Sequence, residues 1–263
     1  MRRLVAIAVG VAALAALTSA RIAGAAGGEV PVTVPIPSTE MEINAGFSPR
    51  ALPRNERTPI RLTATGEISD PTGGHPPALR ELSTEFDRAI SFHLEGVPAC
   101  KRTRLGKTTE TATALKACRS ALIGEGEVTV QVSMPEQNPV NLRSKLLIFK
   151  GGERGGKTTL FMHAYFSLAP LSGAVVIPVT IARHANRRFG TRAVARIPQL
   201  AGGWGSLTKF NFEIFGNVEV GGDRYHPISA TCADGELRVF NRGTFEDGDR
   251  AETELVRACT AKG

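Results

Sequence analysis

The chain has 263 residues, of which 42% are hydrophobic, 22% charged and 6% aromatic, with 28 glycines, 16 prolines and a formal charge of +7. That balance excludes a disordered tail, a collagen-like repeat and a multi-span membrane protein. A chain of this length can bury roughly 70–75% of its unfolded surface, so it does not depend on disulfides to fold at all.

At the N-terminus Arg2 and Arg3 precede an uncharged run, Leu4 to Leu17, dominated by Ala, Val and Leu. Small residues follow, with Ala-x-Ala-like sites at Ala23-Gly24-Ala25 and Thr18-Ser19-Ala20. A positive segment, a short apolar run and a small-residue site read as a secretory signal over residues 1–25. The alternative is a retained membrane anchor, but a span needs about 20 apolar residues, and Arg21 interrupts this one. Cleavage after Ala25 would remove three arginines and leave 29 basic residues against 25 acidic. A balance of +4 is not by itself the signature of a nucleic-acid binder.

Residues 26–40 alternate Val and Ile with Pro, which cannot donate to a sheet ladder, so they read as an extended tether or an edge strand. From 41 to 263 the chain reads as an all-β globular region, with a candidate division into two halves near 135–142. Ile60, Leu62 and Ala64 alternate with polar residues, as do Val128, Val130 and Val132. Pro76–Leu94 fits both a helical and a strand face, and its Ser91-Phe92-His93-Leu94 end favours strand for the second half. Thr111–Leu122 carries Ala112, Leu115, Ala117 and Cys118, stops at Gly124, and predicts the one helix.

Gly151 to Thr158 matches the phosphate-loop pattern G-x-x-x-x-G-K-[ST]. That chemistry needs a helix starting at the lysine, to aim its N-terminus at the phosphates. The following Thr158–Phe166 alternates like a strand, so the segment reads as a glycine-rich hairpin loop and no nucleotide is expected. Ala174–Ala182 is apolar on both faces, as a central strand should be. It leads through His184–Gly190 into a second strand, Thr191–Ile197. In Leu207–Phe215, Thr208, Phe210, Phe212 and Ile214 share one face. Ser206 and Lys209 fit S-x-x-K, but a strand turns the two side chains to opposite faces. His163 and His226 fall in expected strands and read as packing residues. Asp234-Gly235 predicts a two-residue hairpin turn. Glu246, Asp247 and Asp249 around Gly248 read as a polar turn, since their spacing does not fit a calcium loop.

Four cysteines behind a signal predict two disulfides in an oxidising compartment. Of three pairings, Cys100–Cys118 with Cys232–Cys259 is favoured because each pair stays within one half. There is no C-x-x-C and no histidine at ligand spacing, so no metal site and no cofactor are expected. The one functional lead is a basic cluster on the predicted hairpin: Arg183, Arg187, Arg188, Arg192 and Arg196, with His184 among them. Arginines on a loop can bind phosphate or carboxylate groups of an anionic envelope or extracellular polymer, or can simply keep the loop solvated.

The segments Gly96–Cys100 (GVPAC), Ala117–Val128 (ACRSALIGEGEV) and the closing C-x-D-G…C of 232–259 resemble those of a group of exported bacterial proteins of unknown function. The resemblance implies export and two bridged halves; it assigns no activity and no site residue. The expectation is an exported antiparallel β-sandwich with one short helix and two disulfides, secreted or at the cell surface, with no membrane span after signal cleavage. Its expected role is that of a non-catalytic cell-envelope or extracellular binding or structural module. The alternative is a secreted hydrolase whose site joins a histidine, a carboxylate and a serine from distant parts of the chain.

Overall fold

The computed structural model describes residues 30–167, 172–184 and 186–262; the expected signal, residues 1–25, lies outside them. The strands are β1 (Val32–Ile36), β2 (Thr39–Ser48), β3 (Ala51–Pro53), β4 (Thr58–Pro59), β5 (Arg61–Ser69), β6 (Leu79–Asp87) and β7 (Ile90–Phe92). Helices α1 (Arg102–Leu105) and α2 (Thr111–Cys118) follow. Then come β8 (Leu122–Val132), β9 (Val140–Arg154), β10 (Lys157–Phe166), β11 (Gly173–Arg183), β12 (Phe189–Arg196) and β13 (Gly205–Ile214). The chain ends with β14 (Val218–Val220), β15 (Asp223–Tyr225), β16 (Ile228–Ala230), β17 (Glu236–Phe245), β18 (Arg250–Ala258) and β19 (Thr260–Lys262).

Twelve strands form one antiparallel sheet in the order β1-β2-β5-β13-β8-β9-β10-β11-β12-β6-β17-β18. The protein is therefore all-β and sandwich-like, and its two layers belong to one wall that bends back on itself. Period-2 alternation explains the bend: Leu62, Ile148, Val179, Ile214 and Val239 come from both sides of the wall and meet in one core. Charged residues such as Glu42, Lys145 and Lys209 take the outer face. Strand order also interleaves the chain. β13 sits between β5 and β8, and β6 between β12 and β17, so residues before and after 135–142 share every layer.

The edge strands β1 and β18 lie side by side where the wall meets itself, and among the described residues no backbone ladder joins them. Apolar packing closes this seam, with Met41, Ile43, Leu79, Phe245 and Leu255 in one cluster. Arg257 of β18 reaches across to β2, its Nε donating to the Ala45 carbonyl at 2.6 Å and its Nη2 to Asn44 Oδ1 at 2.5 Å. At one end Ser38 donates to Asp247 at 2.7 Å and to Asp249 at 3.0 Å. At the other, β19 crosses over to pair in parallel with β3, beside the Cys232–Cys259 bridge (Cα–Cα 6.0 Å).

The second disulfide, Cys100–Cys118 (Cα–Cα 5.6 Å), ties down α1 and α2 as a cap on the outside of the wall. Leu105, Ala114 and Ala121 pack there on Leu147, Phe149, Phe161 and Val176. This explains why β9, β10 and β11 are apolar on both faces. Within the cap His163 is fully buried, and Thr108 Oγ lies 2.8 Å from its Nε2 while donating to the Leu105 carbonyl at 2.6 Å. The hydroxyl proton is thus committed, so His163 carries its own proton on Nε2, and Nδ1 has no partner.

Some of these expectations are met and others need correcting. Residues 79–92 are strand on both sides of a break, with no helix. The helix stops at Cys118, and a 3-10 turn over Arg119–Ala121 leads into β8. Asp234-Gly235 makes no hairpin, because β16 pairs with β4 and β7 while Cys232 is held by Cys259. A bulge between Leu207 and Lys209 turns Leu207 inward in place of Thr208. His226 lies outside any strand and is exposed. The phosphate-loop pattern is a tight hairpin: Arg154 pairs with Lys157 across Gly155 and Gly156, both at positive φ, and strand rather than helix follows.

Candidate functional site

The arginines of the β11–β12 hairpin are in the main tied down by carboxylates of the neighbouring strands. Arg188 pairs with Asp87 at 2.8 Å and Asp234 at 2.7 Å. Arg192 contacts Glu85 at 2.6 Å and His184 Nε2 at 3.0 Å, and Arg196 pairs with Glu81 at 3.2 Å. The pattern continues along the outer face with Arg238–Glu254 at 3.0 Å and Arg242–Glu252 at 2.5 Å. This is a cross-strand ladder of alternating charge, each exposed pair worth about 0–1 kcal/mol. Arg183 and Arg187 are exposed and make no side-chain hydrogen bond or ion pair among the described residues. The five arginines therefore do not form one open cationic surface.

A serine and a histidine do come together. Ser206 Oγ lies 3.1 Å from His75 Nε2, and His75 Nδ1 lies 2.9 Å from Gln131 Oε1. The amide oxygen can only accept, so Nδ1 carries the proton and Nε2 accepts from the serine. That order matches a nucleophile, its base and the group orienting the base. Three features set it apart from a working triad. Gln131 is neutral and offers no charge to an imidazolium, and Ser206 is only 1% exposed, with no room for a substrate at its oxygen. The adjacent Gly205 amide is already bonded to the Leu200 carbonyl at 3.1 Å, which leaves it unable to serve an oxyanion. The pair latches the 70–78 loop to the wall.

A second feature lies inside. The folded wall surrounds a cavity of about 160 Å³ lined by residues of twelve strands, among them Phe86, Ile148, Met162, Val179, Phe210 and Val239. A further void of about 30 Å³, reaching Leu200, shares Val128, Leu146 and Met162 with it. Small inward residues leave the space: Ala45, Ala64, Ala193 and Ala195 sit where the alternation elsewhere places Leu, Ile or Phe. The lining has no charged side chain and four polar ones, Asn44, Thr63, Thr84 and Asn241. Asn241 is 5% exposed; its Oδ1 accepts from Thr84 Oγ at 3.0 Å, and its Nδ2 has no partner.

The sequence did not point to this cavity, because facing alanines on distant strands have no linear signature. One local signal was present. The inward series Leu237, Val239, Phe245 is broken by Asn241 and Gly243. Comparison of the chain with known protein families, with curated proteins and with solved structures finds no match. Among the described residues no helix is long and apolar enough to cross a membrane, and no cluster of His, Cys, Asp or Glu suits a metal.

Proposed function

We propose that the protein is an exported, non-catalytic binding protein that holds a small apolar molecule, or the apolar end of a larger one, inside its wall. The cavity carries this reading. A void of 160 Å³ left empty forgoes about 4 kcal/mol at ~24 cal/mol per Å³, a large part of a typical stability of roughly 5–15 kcal/mol. Water is a poor occupant, since it needs two to four polar partners and the lining is almost wholly apolar. Engineered cavities of about 150 Å³ with similar lining stay dry and take up benzene. Two disulfides and no free cysteine among the described residues agree with an oxidising compartment, and the signal expected from the sequence supports export to the outside of the cell or its surface. Binding of an anionic polymer has less support, with three of five candidate arginines already neutralised. Hydrolysis has less still, with Ser206 sealed.

The test is uptake of ethylbenzene by the purified protein, followed by thermal shift and calorimetry. Saturable stabilisation of the wild type is expected. Ala195→Leu, which fills the space from β12, should raise the basal melting temperature and abolish the shift. A wild type that ignores ethylbenzene overturns the reading.

A further inference from the structure

We propose that the cavity selects a ligand presenting a neutral hydrogen-bond acceptor, such as a ketone or ester carbonyl, to Asn241. The inference rests on the cavity being the binding site and adds the polar half of its chemistry.

Asn241 and Thr84 are direct cross-strand partners of β17 and β6, and both side chains line the cavity. Thr84 donates to Oδ1 at 3.0 Å, with the amide nitrogen turned away from the threonine. That nitrogen has two protons and no acceptor, in a residue 5% exposed. A buried amide donor left unpaired is a standing penalty, and folded proteins satisfy nearly all such groups. Leucine has almost the same shape and would fit the apolar lining without that penalty. An asparagine here makes sense when something else supplies the acceptor. No cationic side chain lines the cavity, so a carboxylate would be buried without a counter-ion, and a neutral carbonyl is the better match.

Acetophenone and ethylbenzene are a suitable pair of probes, alike in size and differing in one carbonyl. In the wild type the ratio of the ethylbenzene Kd to the acetophenone Kd should exceed that in Asn241→Leu about fivefold, the worth of a typical net hydrogen bond. The variant should also melt higher than the wild type without ligand, which a merely structural asparagine would not allow. Should the variant fail to fold, the infrared carbonyl band of acetophenone bound to the wild type decides. It should lie below its position in a hydrocarbon solvent, as a hydrogen-bonded carbonyl does. An unchanged ratio, or a band at the hydrocarbon position, overturns the inference while leaving apolar binding intact. If ethylbenzene also fails to bind the wild type, the binding reading falls and this inference falls with it.

Discussion

At position 163 a histidine fills an outward site that α1 and α2 cover completely, with Thr108 on one ring nitrogen and nothing on the other. Burial disfavours the imidazolium and holds the pKa below the ordinary value near 6.5. The unfolded chain, with an ordinary histidine, therefore takes up a proton before the folded one does. Stability from this residue is complete above about pH 6.5 and is lost as pH falls through that value. Melting temperatures from pH 8 to pH 5 should decline less steeply in His163→Leu than in the wild type. Parallel profiles for the two proteins would show that the cap does not sense this proton. Glycine matters at this scale too. At Gly126 a Cβ would lie 2.0 Å from the Asn211 carbonyl oxygen, so any side chain would push β8 and β13 apart.

Among the described elements, the disulfide-bound cap packs on the outside of the wall, against Leu147, Phe149, Phe161 and Val176. Opening its loop by changing Cys100 and Cys118 to Ala should cost about 3 kcal/mol, the chain-entropy value for a loop near this length, measured by urea unfolding. The ethylbenzene affinity should be unchanged, because the cap and the cavity lie on opposite faces of β9, β10 and β11. A large loss of affinity would mean that the cap shapes the interior. Much at this level was legible beforehand. Period-2 runs marked β5, β8 and β13, and the spaced Ala and Leu of Thr111–Cys118 marked the helix. The even cysteines marked both bridges. What was not legible came from partners distant in the chain. The bulge at Thr208 depends on how β13 meets β8. The failed turn at Asp234 depends on Cys232 being held elsewhere. The neutralised arginines depend on β6 supplying Glu81, Glu85 and Asp87 to a hairpin a hundred residues later. Of the site, the arginines were visible and the cavity was not, since a hole is a property of facing layers.

For the molecule as a whole, a single wall turned on itself must end somewhere, and it ends at β1 and β18. Pro35 on β1 withholds a backbone donor there, which discourages both a ladder across the join and pairing with another chain. The join relies instead on side chains, chiefly the apolar cluster around Met41 and Leu255 and the reach of Arg257 to Ala45. A cylinder laced all round by backbone bonds would have to unravel before its contents could leave. This one has a slit, fastened at both ends and buttoned along its length, that can part without disturbing any strand pair. If the cavity holds the proposed ligand, its exchange is then a local event, expected to be far faster than unfolding and independent of it. Arg257→Ala should speed arrival and departure of ethylbenzene alike, leave its Kd nearly unchanged, and raise hydrogen exchange at the β1 and β18 amides alone. Rates that do not move would place the way in elsewhere, and the slit would be a fastening with no traffic through it.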